Sequence, residues 1–219
     1  MDFSAFLNIV LRLIEGLSVS VGIFVLTLVI SLPLGLLIAF GRMSKNIILK
    51  TIIRVYISIM RGTPLMLQLM FIFFGPSFIF HVSLSSSYRI IAVILGFGLN
   101  YAAYFAEIYR GGIESIPKGQ YEAAAVLGYT HGQTFTRIIF PQVVKRIIPS
   151  ITNEVITLVK DTSLAFVLSV AEMFTIAKQI VAAKGTVIPL VVAGLFYYIF
   201  NSVVAFIMAK IEKKFSFYS

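Results

Sequence analysis

The chain is predicted to be an all-α membrane protein of five transmembrane helices, with its N-terminus outside and its C-terminus inside. Three observations predict this. First, 59% of the 219 residues are hydrophobic and only 12% are charged. Soluble domains run at about 45–50% apolar and about 25% charged, so lipid must cover much of the apolar surface here. Second, the apolar residues fall into runs of membrane-spanning length. Third, the cations gather at the ends of those runs.

Span one covers residues 16–41, GLSVSVGIFVLTLVISLPLGLLIAFG, and carries no charge. About 20 apolar residues suffice to cross the hydrocarbon core as a helix. Pro33 can kink this helix, and neighbouring helices can re-satisfy the freed carbonyl. Span two covers residues 55–75, where Gly62-Thr63-Pro64 should loosen the helix and expose backbone groups. Span three covers 89–110, span four 148–170, and span five the uncharged run 185–209. The N-terminus lacks the pattern of a cleaved signal peptide, because its apolar run comes late, follows Glu15 and is too long. All of residues 1–219 are read as one transmembrane domain.

Lys and Arg counts set the orientation. The segments 42–54 and 110–147 and the C-terminal tail hold twelve cations, against four in the opposite loops (Arg12, Arg89, Lys178 and Lys184). The side with twelve is expected to be cytoplasmic. The net charge of +9 is therefore topological in origin, and a nucleic-acid partner is not expected. There is no cysteine, hence no disulfide framework or thiolate metal site, and His81 and His131 lack ligand partners at helical spacing. No metal site is expected.

The loop 112–147, between spans three and four, is too polar to span. Tyr121 to Leu127 is Ala-rich and helix-favouring. Gly128 suits a helix C-terminus because it tolerates positive φ. Gly132 adds a second break, and a helical pattern resumes at Gln133 to Ile139 and stops near Pro141. The expected product is a short helix, a turn and a second helix on the cytoplasmic face. Small residues such as Ala123 and Ala124 would let a partner backbone approach, and a short helix in a partner's groove is a recurring recognition mode. The bland alternative is an interfacial helix that packs only on its own bundle.

Within this loop, Glu122-Ala123-Ala124 is followed by Gly128, Ile138 and Pro141 at the spacing EAA-x3-G-x9-I-x-L-P, with Phe140 in place of the usual Leu. The pattern resembles the EAA coupling loop of the permease subunits of ABC importers. Residues 61–69 (RGTPLMLQL), 99–112 (LNYAAYFAEIYRGG) and 153–164 (NEVITLVKDTSL) resemble the polar amino acid uptake branch of that family. The resemblance implies a second permease subunit (a homodimer or a heterodimer), two ATP-binding subunits, an extracytoplasmic amino acid binding protein and a place in the prokaryotic cytoplasmic membrane. The coupling residues would be Glu122, Ala123, Ala124 and Gly128. No G-x4-G-K-[ST] pattern occurs, so the chain is expected to bind no cofactor and not to be an enzyme. ATP and Mg would be bound by the partner ATPase.

Ionisable groups within a span cost at least about 2.5–3.5 kcal/mol on insertion scales and are functional candidates. Span four has Glu154, Lys160 and Asp161. Glu154 and Asp161, seven residues apart, fall within about 20° on a helix at about 100° per residue. Thr157 and Leu158 lie between them on nearly the same face, Asn153 borders it and Lys160 points away. Two carboxylates on one interior face suit a ligand with positive charge. Asp161 has an alternative role, pairing with Lys160 or Arg61 to hold helices together. The Asn153-Glu154 pair looks like that of permeases carrying arginine, lysine or histidine, where relatives for neutral or acidic amino acids resemble NQ, NS or NN.

Further substrate-binding candidates are Leu67, Gln68, Asn100 and Tyr104, with Tyr101 offering a further hydrogen bond. Aromatic faces attract cations, and the amides of a broken helix receive carboxylates. Glu107 and Arg110, three apart, are expected to form a local ion pair. The expected function is thus a permease subunit for polar, basic amino acids. The rivals are a permease for glutamine, glutamate or other amino acids, and a stand-alone secondary carrier using Glu154 and Asp161. The absence of a visible internal repeat counts against the carrier.

Overall fold

The computed structural model describes residues 3–81, 85 and 87–216, and every regular element among them is helical. The first helix, α1 (Phe3–Arg42), is 40 residues long and runs through Pro33 without a break. At 1.5 Å per residue it extends about 60 Å, roughly twice the hydrocarbon thickness. It begins well before residue 16 because Ile9 and Leu13 are buried against Met173, Ala177 and Ile180. Packing carries the helix through Arg12 and Glu15, both of which face outward.

Span two is not one helix. α2 (Ile47–Gly62) and α3 (Leu65–Phe80) meet at an angle of 111°. The cause is local: Pro64 disfavours helical geometry at the residue before it, and Thr63 is extended at φ −123°, ψ 149°. At its other end, α2 is capped by the Asn46 side chain, which accepts from the Ile48 and Leu49 N–H groups at 2.9 and 3.3 Å.

α4 (Tyr88–Glu114) is the central post, with Val93, Phe97, Ala102, Phe105 and Ala106 fully buried. α1 packs along it at close range. A methyl group on Gly35 of α1 would lie 2.8 Å from Phe105 Cβ and 3.0 Å from the Ala102 carbonyl oxygen. The main core surrounds α4 and includes Ile23, Leu69, Leu158, Val159 and Leu168.

The polar segment that follows forms α5 (Lys118–Val126) and α6 (His131–Thr134). Between them Gly128 adopts φ +78°, the left-handed geometry expected of it. Gly132 is not a break, because Thr130 and Gln133 form a capping box across it and place it in the first turn of α6. Nor does the helix stop at Pro141. A π-helical turn (Phe135–Ile139) leads directly into α7 (Phe140–Asp161), where Pro141 sits in the first turn and its missing N–H is tolerated.

Span four also differs from a plain helix. After Asp161 the chain tightens into a 3-10 segment (Thr162–Leu168), then turns at Ser169 into α8 (Met173–Lys184), bent by 55°. Glu172 is completely buried at this corner. Its carboxylate accepts from the Phe174 N–H, the Thr175 N–H and hydroxyl, and the Tyr197 hydroxyl at 2.7, 2.6, 2.8 and 3.1 Å. That donor set offsets its desolvation. α9 (Ile188–Ser216) completes the bundle. Helices α1, α4 and α9 are each long and apolar enough to cross a membrane. The two bent pairs bring the number of crossing segments among the described residues to as many as five if each pair is one span.

Candidate functional site

The break between α2 and α3 opens a cavity of about 400 Å³ against α4 and α7. The break contributes Thr63, Pro64 and Leu65; α4 contributes Asn100, Tyr101 and Tyr104; α7 contributes Glu154, Thr157 and Asp161; and Leu164 closes it from the 3-10 segment. Both span-four carboxylates therefore face one space, as their seven-residue separation predicts. The cavity also receives the N-terminus of α3, whose first N–H groups have no intrahelical acceptor. One wall is acidic and another presents amide dipoles. That combination complements a small molecule bearing both a cation and a carboxylate.

Asp161 is not paired with a neighbouring cation. Its Oδ2 accepts a hydrogen bond from the buried Tyr101 hydroxyl at 2.7 Å. Tyr101 in turn stacks on Phe97, with ring centroids 6.4 Å apart and planes 7° apart, and touches the Tyr104 ring at 6.2 Å.

Gln68 and Asn100 hold the broken helix open. The Gln68 side-chain amide donates to the Met60 carbonyl at 3.0 Å, the Thr63 carbonyl at 3.1 Å and the Thr63 hydroxyl at 2.8 Å. The Asn100 amide donates to the Met60 carbonyl at 3.0 Å and to Gln68 Oε1 at 2.9 Å. Carbonyls left free by Pro64 thus find partners on α3 and α4. Gln68 is a clamp behind the cavity rather than part of its lining. Leu67 is largely exposed on the outer side of α3, and Asn153 is exposed on α7; neither lines the cavity. Leu158 is buried in the core instead of sharing the carboxylate face.

A second polar cavity, of about 480 Å³, lies beside the first. Tyr104 lines both. The second is walled by Arg42, Arg54, Ser58, Arg61 and Glu107. The expected Glu107–Arg110 ion pair is present at 2.7 Å, and Arg110 also reaches Glu114. Arg42 and Arg61 add longer contacts to Glu107 at 3.8 and 3.9 Å.

On α5, Glu122 and Ala123 are exposed and Ala124 is buried. Ala124 packs inward within this chain. The outward apolar groups are Val126 and Leu127, 88% and 73% exposed. Gly128 ends the helix beside a groove lined by Tyr121, Tyr129, His131 and Thr134. Burial pushes the Tyr121 phenol above its ordinary range, so it stays a neutral hydrogen-bonding group at neutral pH.

Tyr101, expected only as a further hydrogen-bonding group, lines the cavity, as do Leu65 and Leu164, neither of them among the expected residues. The signals available were the Thr63-Pro64 break and the position of Leu164 three residues past Asp161.

An all-helical membrane protein with a polar, two-walled cavity among its helices and a short exposed helix between two long ones is built as a membrane transport component. The chain belongs to the family of binding-protein-dependent transport system inner membrane components, whose model matches residues 31–217. It is 36% identical over 215 residues to the arginine transport system permease protein of Bacillus subtilis (strain 168), covering 98% of this chain and 97% of that one. It is 35% identical over 207 residues to a putative glutamine transport system permease protein of Rickettsia typhi, covering 94% and 93%. It is 40% identical over 166 residues to the L-cystine transport system permease protein of Bacillus subtilis (strain 168), covering 75% and 69%. Among solved structures it resembles an amino acid ABC transporter crystallised with histidines, with a TM-score of 0.87 and 29% identity over 98% of this chain and 99% of that one. The fold is shared with an inward-facing methionine ABC transporter at a TM-score of 0.73 and 19% identity, over 98% and 99%.

Proposed function

We propose that this chain is the permease subunit of an ATP-driven importer of polar amino acids, and that its substrates carry a basic side chain. The observation that carries the reading is the cavity in which Glu154 and Asp161 face the open N-terminus of α3. The carboxylates would receive the guanidinium, ammonium or imidazolium group. The α3 amides would receive the α-carboxylate. Tyr104 would supply an aromatic face. Asn100 would position the break rather than grip the ligand, since its amide is already engaged with Met60 and Gln68.

In this reading the chain pairs with a second permease, identical or homologous, and takes substrate from an extracytoplasmic binding protein. Two ATP-binding chains hydrolyse ATP with Mg. α5 docks one of them from the cytoplasmic side, with Glu122, Ala123, Val126 and Leu127 outward and Gly128 setting its end. The excess of Lys and Arg on that side supports an outer N-terminus and an inner C-terminus in the cytoplasmic membrane of a prokaryote.

A neutral substrate is the second reading, favoured by the similarity to permeases named for glutamine and cystine. Substrate-stimulated ATP hydrolysis separates the two, using the permease reconstituted with its ATPase and binding protein. Stimulation by arginine or lysine that is lost in Glu154→Gln supports the basic reading. Stimulation by glutamine or cystine alone, unchanged in that variant, overturns it while keeping the importer. No association with an ATPase overturns both.

A further inference from the structure

The acidic cavity and the basic one beside it share a single wall residue, Tyr104. Arg61 lies on that wall. Its guanidinium carbon is 5.3 Å from the centroid of the Tyr104 ring, within cation–π range. Its Nη1 is 3.9 Å from Glu107 Oε2, an ion pair too long for a hydrogen bond. Glu107 is already gripped by Arg110 through contacts of 2.7 to 3.2 Å. Arg61 is thus held more loosely than Arg110, with a side chain 45% exposed. It also lies within electrostatic reach of Glu154 in the first cavity.

Its place in the chain matters as much as its contacts. Arg61 is in the last turn of α2, next to Gly62, where a side chain would meet no atom within 4 Å. Thr63 and Pro64, lining the first cavity, come next. Arg61 and Tyr104 stand on different helices, α2 and α4, so a movement of α2 shifts the guanidinium against the ring.

We propose that Arg61 is a tethered cation that shuts the inner doorway of the substrate cavity at Tyr104, and that it is displaced by the side-chain cation of the substrate. This rests on the basic-substrate reading above. In the resting chain Arg61 occupies the ring face and contributes positive charge to the acidic cavity. An arriving guanidinium or ammonium competes for the same ring and the same field. Once displaced, Arg61 swings towards Glu107, and the way past Tyr104 opens. A neutral amino acid offers no such exchange. Arg61 is therefore a specificity-determining residue that senses side-chain charge, separate from the carboxylates that bind it.

The test uses the assembled permease–ATPase complex, with radiolabelled arginine and its uncharged isostere citrulline as probes. Direct binding is measured without binding protein, and leak from preloaded vesicles is measured without ATP. Arg61→Met removes the charge that holds the side chain on the ring; Arg61→Lys restores it. The expected result is about tenfold tighter arginine binding in Arg61→Met, the scale of removing one nearby like charge in a partly screened site. Citrulline binding is expected to be unchanged, leak several-fold faster, and both readouts near native in Arg61→Lys. Equal changes for arginine and citrulline, or a tight vesicle in Arg61→Met, overturn the proposal. If the native complex carries a neutral amino acid and ignores arginine, the basic-substrate reading fails. The charge-sensing role fails with it, and leak of that amino acid from Arg61→Met vesicles then reports on the doorway alone.

Discussion

Tyr101 and Asp161 are sixty residues apart in sequence and joined by a 2.7 Å hydrogen bond. The bond ties the middle of α4 to the last residue of α7, where the chain tightens into the 3-10 segment. It uses one oxygen of the carboxylate and leaves acceptor capacity facing the cavity. Tyr101→Phe removes the donor without changing the ring packing on Phe97. A hydrogen bond to a charged group is worth about 1.5–3 kcal/mol. The variant is expected to melt a few degrees lower in detergent and to raise the KM for arginine uptake more than it lowers the maximal rate. A fall in maximal rate with KM unchanged would show that the bond serves the moving helices and not the site.

The clamp on the broken helix makes a second prediction. Gln68→Leu leaves the Thr63 carbonyl and one bond to the Met60 carbonyl without their donor. Each hydrogen bond lost costs about 0.5–1.5 kcal/mol net. The expected outcome is a lower melting temperature and impaired transport of every amino acid the complex carries, because the break itself is disordered. Gln68→Glu should also impair transport, since a carboxylate cannot donate to two carbonyls. A change confined to basic substrates would instead make Gln68 a ligand.

How much of this was legible in the chain depends on the range of the interaction. The shared face of Glu154 and Asp161 follows from helical periodicity, and both line the cavity. The opening at Thr63-Pro64 follows from proline stereochemistry, though its 111° bend does not. The left-handed Gly128 follows from its place after an Ala-rich helix. What periodicity could not supply was the identity of long-range partners. Asp161 meets Tyr101 rather than its neighbour Lys160, and Gln68 turns back onto its own helix break. The early start of α1 has the same origin: Ile9 and Leu13 gain nothing locally and are helical because α8 covers them. Ala124, expected from its small size to face a partner, is buried within this chain.

Close backbone approach predicts where the bundle tolerates no side chain. A methyl group on Gly16 would stand 2.7 Å from Met173 Cα and 2.8 Å from its nitrogen. These are backbone atoms at the start of α8, fixed by the Glu172 cap, and they cannot swing aside. Gly16→Ala is expected to cost about 1–3 kcal/mol, as overpacking does, and to lower the melting temperature. Gly22→Ala meets nothing within 4 Å on the same helix. It should be neutral or slightly stabilising through helix propensity. Equal effects from the two substitutions would mean that α1 does not rest on α8 as described.

The exposed end of α5 lets the proposed coupling be tested apart from the proposed binding. Val126 and Leu127 are 88% and 73% exposed and lie just before the turn at Gly128. Apolar side chains placed at the tip of a short surface helix gain nothing from the rest of this chain, which suits the proposed docking of α5 to a partner. Leu127→Asp adds a charge where a partner groove would have to desolvate it, at a cost of a few kcal/mol. Association with the ATPase, measured by co-purification or light scattering, is expected to weaken by at least about tenfold. The melting temperature of the isolated permease should stay within a degree or so of native, because the side chain touches little of its own fold. Direct arginine binding to the permease should be unaffected, since the cavity lies on other elements. Loss of arginine binding together with loss of ATPase association would place the two functions on one unit and contradict the separation of α5 from the α2–α3 break.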